Sequence, residues 1–260
     1  MAGNSWNWFS LYSGYVEGVR NTSCASTGRN CTPFSIPAME EVRSILGEVK
    51  GGYYIAMEGL DGCGKTLQTD MLVDFIKNKT DYEVVRTREP GATELGSKIR
   101  DIVLNNETKN LPNRAEMYLF LADRAIHIEN VVKPALEAGK IVVSDRSLYS
   151  GIAYQGYGRD TEDVGLVIRE HMVACDRVLP NMTFFINIGY ETMKERKFQK
   201  GNRMDNQTLE FYKKVKWGYI ELINDWRPKN GVMINGERTP EEVHKDIVNV
   251  LVEMEGMKIN

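Results

Sequence analysis

A parallel β-sheet flanked by α-helices is the α/β fold predicted by this 260-residue sequence. Three observations carry the prediction. Short runs rich in apolar, β-branched and aromatic residues recur at 53–57, 82–87, 140–144, 182–188 and 232–235, each the length of a strand. Longer stretches with helical spacing separate them. The first run leads straight into Gly59-Leu60-Asp61-Gly62-Cys63-Gly64-Lys65-Thr66, which fits G-x-x-x-x-G-K-[ST] at every fixed position. Leu67, Met71, Leu72 and Phe75 follow at helical spacing. Strand, glycine loop and helix in that order mark a P-loop NTPase-type sheet.

Within that loop, Gly59 and Gly64 let the backbone turn its N–H groups onto a polyphosphate at a helix N-terminus, where negative charge is favoured. Lys65 is expected to reach the β- and γ-phosphates and the Thr66 hydroxyl to ligate Mg²⁺. The chain is therefore expected to bind a nucleoside triphosphate, with Asp61, Gly62 and Cys63 completing the loop.

Composition narrows the class. A hydrophobic content of 42% over this length suits one globular domain with a full core. A net charge of −3 argues against a protein that coats nucleic acid. No uncharged apolar run approaches the ~18 residues of a membrane span, and the first twenty residues lack a basic start and an apolar core of a secretory signal. Cysteines 24, 31, 63 and 175 form neither a C-x-x-C pair nor a disulfide framework, and histidines 127, 171 and 244 lack metal-ligand spacing. A reduced, cytoplasmic enzyme fits.

Residues 1–50 read as an N-terminal extension and 51–260 as the catalytic body. The first 38 are rich in Asn, Ser, Gly and Thr, with Trp6, Trp8 and Phe9, and show no periodicity. They are expected to be flexible or loosely docked. Apolar residues at 39, 42, 45, 46 and 49 suit a short amphipathic helix, which Gly51-Gly52 ends.

Beyond the first helix, Asn78-Lys79-Thr80-Asp81 spells the guanine-reading N-K-x-D string of GTPases. It stands far too early in the fold for a base-reading loop and is taken as accidental. The second strand runs into Arg88-Glu89-Pro90-Gly91, a turn at the edge where open α/β sheets bind ligands. Arg88 there can grip a phosphate with its bidentate fork, although an Arg-Glu pair beside a turn is often a surface ion pair. Helices are expected over 95–104 and 114–129. The second is apolar almost all round, so burial is expected. Phe120, Arg124 and His127 share one of its faces. Either Phe120 offers its ring to a flat heterocycle beside Arg124, or it sits in the core while Arg124 pairs with Asp123 or Glu116. A hydrophobic strand closed by Asp145 is the Walker B arrangement, with its carboxylate near Mg²⁺.

The assembly EGLDGCGKT, TREPG, the Phe120/Arg124 helix and DRSLYSGIAYQG resembles thymidylate kinase, with matching motifs spread from about residue 53 to 205. The resemblance implies the reaction ATP + dTMP → ADP + dTDP with Mg²⁺, and typically a homodimer. By the same resemblance, Asp61 contacts the acceptor's 3′-hydroxyl and Arg88 and Arg146 hold its 5′-phosphate. Phe120 stacks on thymine, and Arg124 reaches the 4-oxo group. Ser150 lies at the base pocket, Tyr154 crowds the 2′ position with Gln155 beside it, and Asp145 helps hold Mg²⁺. Two residues depart from the family pattern: Ser147 replaces the usual aromatic residue or His, and Gly151 stands where some relatives carry Asn.

Arg196-Lys197-Phe198-Gln199-Lys200-Gly201-Asn202-Arg203 could be a solvated loop. In the family the corresponding segment is a lid over ATP. Members without an arginine in the phosphate loop carry their catalytic arginine there, and this loop has Gly62. Arg196 or Arg203 is therefore expected to stabilise the transferring phosphoryl group. A helix is expected over 208–224. Thr239-Pro240-Glu241-Glu242 reads as the start of the last one, with Thr as N-cap, Pro at N1 and Glu at N3. Two other readings stay open: a kinase for a different nucleotide or a deoxynucleoside, and a nucleotide-dependent switch that transfers nothing.

Overall fold

The structure, a computed structural model, describes residues 52–196, 201–225 and 230–256, all within the compact unit Pro37–Asn260. The expected helix at 39–49, the extension before it and residues 197–200 of the expected lid lie outside the described residues.

Five strands, β1 (Tyr53–Gly59), β2 (Val84–Arg88), β3 (Ile141–Asp145), β4 (Met182–Asn187) and β5 (Gly231–Asn235), form one sheet in the order β2-β3-β1-β4-β5. All four pairings are parallel. Strand alternation sorts the core. Tyr54, Val142 and Phe185 pack on one face with Tyr219 and Leu222. Ile55, Met57, Val143 and Phe184 pack on the other with Leu72, Ile76 and Ile247. Burial on both faces is what a parallel sheet requires, because helices cover both sides.

The helix after the loop is α1 (Lys65–Lys79). Thr69, Leu72, Val73 and Ile76 are buried, while Leu67 is 47% exposed. Next comes α2 (Glu94–Leu104), capped by Thr93, whose hydroxyl accepts from Gly96 N at 3.0 Å. The expected all-round burial of the following helix, α3 (Asn113–His127), is corrected. Tyr118 is 51% exposed, and the buried set is largely polar: Glu116, Asp123, Arg124 and His127 beside Met117 and Leu121. A π-helical turn (Ile128–Val132) and α4 (Lys133–Glu137) return the chain to β3.

After β3, α5 (Leu148–Gly151) runs into a π-helical segment (Ile152–Gly158), and then α6 (Val164–Ala174), unanticipated from the sequence, packs beside it. The remaining helices are α7 (Tyr190–Arg196), α8 (Leu209–Asp225) and α9 (Pro240–Gly256). The expected capping box opens α9: Thr239 Oγ1 accepts from Glu242 N at 3.3 Å, and Glu242 Oε2 accepts from Thr239 N at 3.0 Å.

The chain fills the sheet on one side of β1 with β2 and β3 before crossing to β4. The reversal therefore falls at β1, whose last residue is Gly59, and ligands bind outside the carboxyl edge at such a point. Register gathers Met57, Asp145 and Arg88 along that edge. Asn78 to Asp81 lie just before β2 starts, at the opposite edge, in keeping with an accidental match.

Candidate active site

The phosphate loop is built by close backbone approach. A Cβ on Gly59, at φ +139°, would stand 2.4 Å from Ile186 O, so the strand end admits only glycine. Lys65 is buried and donates to Gly59 O (3.1 Å) and Leu60 O (2.8 Å). Cys63 is buried too, with Sγ 3.7 Å from Lys65 Nζ. Thr66 Oγ1 donates to Asp145 Oδ2 at 2.5 Å, so the two expected metal ligands, 79 residues apart in the chain, meet. Mg²⁺ is typically held by one or two protein oxygens plus water and phosphate oxygens, and this hydroxyl–carboxylate pair beside the helix N-terminus fits that requirement.

Arg146 follows Asp145 with φ +77°, an uncommon left-handed conformation for a non-glycine residue. Its amide is held by Met57 O at 2.9 Å and its carbonyl by Ser144 Oγ at 2.6 Å. The bend sends the guanidinium back over the phosphate loop. There it pairs with Asp61, donates to Ser150 Oγ (2.9 Å) and Gly59 O (3.3 Å), and lies 5.2 Å from the centre of the Tyr154 ring. Tyr154 OH donates to the other Asp61 oxygen at 2.9 Å.

Beneath them Glu58, 0% exposed, accepts from Ser147 N and Oγ (both 2.8 Å), Ser150 Oγ (2.5 Å) and Tyr219 OH (3.2 Å). Burial raises its pKa, against the pull of those hydrogen bonds and Arg146. The departure at Ser147 thus has a physical reason: a small hydroxyl there serves a buried carboxylate.

An open cleft extends from this point. Asp61, Phe120, Arg124, Arg146, Ser150, Tyr154 and Gln155 line it, as do Arg100, Asp123, Gly151 and Met204. Arg88 is exposed at the same edge, and its charge, after burial, helps push the Arg100 pKa below the ordinary arginine value. Among the described residues neither Arg88 nor Arg100 is in an ion pair. Arg100 Nη1 donates to Pro90 O at 2.8 Å.

The alternative of a surface ion pair between Arg88 and Glu89 does not hold. Glu89 is 5% exposed and binds Arg124 (2.7 Å) and His127 Nδ1 (2.8 Å), while His127 Nε2 meets Thr87 Oγ1 at 2.7 Å. Burial pushes the Glu89 carboxyl up, but Arg124 and His127 outweigh it and hold it below the usual range. Arg124 therefore pairs with neither Asp123 nor Glu116. Asp123 instead accepts from Gly91 N at 3.0 Å, fixing the turn after β2. Burial, reinforced by Glu89, raises its pKa to about 6.

The two arginines expected in a lid part company. Arg196 ends α7 beside the phosphate loop: a Cβ on Gly62 would be 3.4 Å from Arg196 Cβ, and Nη1 donates to Gly236 O at 3.2 Å. Arg203 is turned the other way. It binds Glu116 Oε2 (2.6 Å) and Val103 O (2.9 Å). Glu116, 0% exposed, also receives Arg159 (2.8 Å) and the Gln155 amide (3.0 Å). Gln155 thus touches the cleft with one of its two amide hydrogens committed to Glu116. Sequence reasoning missed Glu58, Arg100, Asp123 and His171. The signal for part of this set was charge at 116, 123, 124 and 127 inside an otherwise apolar helical run. Such charges demand buried partners.

A family model described as "Thymidylate kinase" matches residues 57–247. The thymidylate kinase of Sulfurihydrogenibium sp. is 38% identical over 200 residues, covering 77% of this chain and 97% of its own length. That of Thermoanaerobacter sp. is 39% identical over 203 residues, again 77% and 97%. The crystal structure of thymidylate kinase from Ehrlichia chaffeensis is similar with a TM-score of 0.64 at 30% identity, covering 77% of this chain and 99% of that one.

Proposed function

The chain belongs to the thymidylate kinase family, and from that premise we propose how its residues carry out the family's reaction. It is an ATP-dependent nucleoside monophosphate kinase that phosphorylates dTMP to dTDP. The catalytic body is residues 51–260. The γ-phosphoryl group passes to an oxygen of the dTMP phosphate as its bond to the β–γ bridging oxygen breaks and ADP leaves. Such a transfer needs alignment and charge neutralisation more than covalent help.

Loop residues Gly59, Asp61, Gly62, Cys63, Gly64, Lys65 and Thr66 hold ATP, with Lys65 on the β- and γ-phosphates. Thr66 and Asp145 would hold Mg²⁺, which when bound neutralises phosphate charge. Arg88 and Arg146 hold the dTMP phosphate, joined by Arg100. Phe120, half-buried on the cleft wall, stacks on thymine and Arg124 reads its 4-oxo edge. Asp61 takes the 3′-hydroxyl, and Tyr154, fixed by its bond to Asp61, crowds the 2′ position. Ser150 and Gln155 complete the pocket. Of the lid arginines, Arg196 is assigned to the transferring phosphoryl group and Arg203 to holding the lid stem on Glu116.

The observation that carries this reading is the pair of arginines outside any described ion pair, Arg88 and Arg100, at the sheet edge facing the phosphate loop. A site of that kind is made for a second anion. Leu95, Ile102, Tyr118, Leu166 and Val173 are exposed apolar residues on α2, α3 and α6, which supports a homodimer; among the described residues no helix is long and apolar enough to span a membrane. A cytoplasmic location accords with both. Coupled turnover with dTMP, dUMP, dCMP, dGMP and thymidine tests the assignment. It predicts preference for dTMP and no turnover of thymidine, which lacks the phosphate. ATP hydrolysis indifferent to dTMP would overturn it.

A further inference from the structure

Gly151 lines the acceptor cleft, and its missing side chain is what admits His171 from α6. A Cβ at 151 would stand 2.3 Å from His171 Cε1, 2.7 Å from its Nε2 and 3.0 Å from Arg124 Nη1. No larger residue fits there without displacing both side chains. His171 is 0% exposed, and its Nδ1 meets Arg124 Nη1. Arginine only donates, so Nδ1 accepts and the ring proton sits on Nε2. Burial, then the Arg124 charge, pushes the imidazole pKa well below its ordinary value, so the ring is neutral. Nε2 is buried without a hydrogen-bond partner, an uncommon state for a buried polar atom. Apart from the Gly151 backbone, which weakly favours the charged ring, this side of the imidazole meets no polar group among the described residues, so its work falls to the other nitrogen.

That work follows from the hydrogen count on Arg124. A guanidinium carries five N–H groups. Nε–H and one Nη2 hydrogen go to Glu89 Oε2, at 2.9 and 2.7 Å. The second Nη2 hydrogen goes to Ser147 O at 3.0 Å, and one Nη1 hydrogen goes to His171. A single Nη1 hydrogen remains on a side chain that lines the cleft.

We propose that His171 is a positioning residue for base recognition: entering through the gap at Gly151, it fixes Arg124 so that its one uncommitted N–H faces the carbonyl at the 4-position of the acceptor base. A carbonyl accepts that hydrogen; an amino group at the same place presents another donor and is refused. The glycine that leaves position 151 without a base contact is thus answered by a histidine from a different helix. The inference rests on the assignment of Arg124 to the base edge.

The test is steady-state kinetics with dTMP and dCMP on His171→Leu, His171→Asn, Arg124→Ala and the Arg124→Ala/His171→Leu double variant. Leu and Asn are close in size, but only Asn keeps an acceptor near the Nδ1 position. His171→Leu should raise the KM for dTMP about tenfold, the scale of one lost hydrogen bond in a buried site. It should leave the KM for ATP and kcat near native and narrow the preference for dTMP over dCMP. His171→Asn should recover most of both, and adding His171→Leu to Arg124→Ala should cost nothing more. If Leu and Asn behave alike, or if Leu lowers Tm and leaves KM and preference unchanged, the role is packing and the proposal fails. If Arg124→Ala itself keeps the native KM for dTMP, the base-edge assignment fails first, and the proposal with it.

Discussion

The phosphate loop and the acceptor cleft, each proposed to hold a phosphate, are built by opposite means. The loop works with backbone amides, a helix N-terminus and one lysine, all inside eight consecutive residues. The cleft gathers guanidinium groups from β2, α2, α3 and the end of β3, the one on α3 assigned to the base and the others to the phosphate. Two of these arginines are balanced by carboxylates far away in sequence: Arg124 by Glu89, 35 residues off, and Arg146 by Asp61, 85 residues off. Backbone geometry needs no counter-charge, whereas a buried guanidinium does. The cleft is therefore the part whose function and stability are coupled.

Substitutions can break that contrast or sharpen it. The largest expected effect is at the loop. Arg196→Ala should lower kcat by about 10³–10⁵, as removal of a phosphoryl-stabilising arginine does elsewhere, with little change in Tm. Arg203→Ala should do the reverse, lowering Tm while kcat stays within reach of native. If alanine at both positions left kcat intact, neither would act on the phosphoryl group. In the cleft wall, Glu116→Ala strands Arg159 and Arg203 without their carboxylate. It should cost about 3–5 kcal/mol of stability, a fall in Tm on the order of 10 °C, read by thermal denaturation. Phe120→Ala should weaken dTMP by roughly 1–3 kcal/mol, as loss of base stacking does in other proteins, and leave ATP untouched. Calorimetric titration with each nucleotide separates the two.

The smallest effect concerns pH. The Asp123 pKa is raised to about 6 in the folded protein, above its unfolded value, so the folded state keeps a proton that the unfolded chain has lost. Stability from this group is greatest below pH ~4, declines as pH rises toward 6 and stays low above it. Asp123→Asn, which keeps an acceptor for Gly91 N, should flatten that dependence and raise stability at pH 7.5 by about 1–2 kcal/mol. Denaturant midpoints at pH 5 and 7.5 would show it, and an unchanged slope would contradict it.

The same contrast explains what could be read before the structure. The sheet, the loop and the α9 capping box were legible because each is encoded by neighbours in sequence: short apolar runs in the strands, glycines at fixed spacing, Thr239 three residues before Glu242. The inward side of α1 was not read from the spacing: Thr69 and Val73 are buried while Leu67 is exposed. Only the fold decides that. Arg124 was visible as a charge in an apolar helix, but its true partner lay in a turn 35 residues earlier and looked like a surface acid. Arg100 and His171 carried no local sign at all, because what makes them part of the site is the approach of Pro90 and Gly151. Long-range charge pairing is a property of the folded chain, and sequence spacing carries little of it.

The central claim is that two anionic nucleotides meet end to end across the carboxyl edge of the sheet. A crystal structure with dTMP tests it most directly. The account predicts the phosphate within hydrogen-bond reach of Arg88, Arg100 and Arg146, and the thymine ring lying against Phe120. A dTMP molecule seated elsewhere, or reversed with its base toward Arg146, would contradict it.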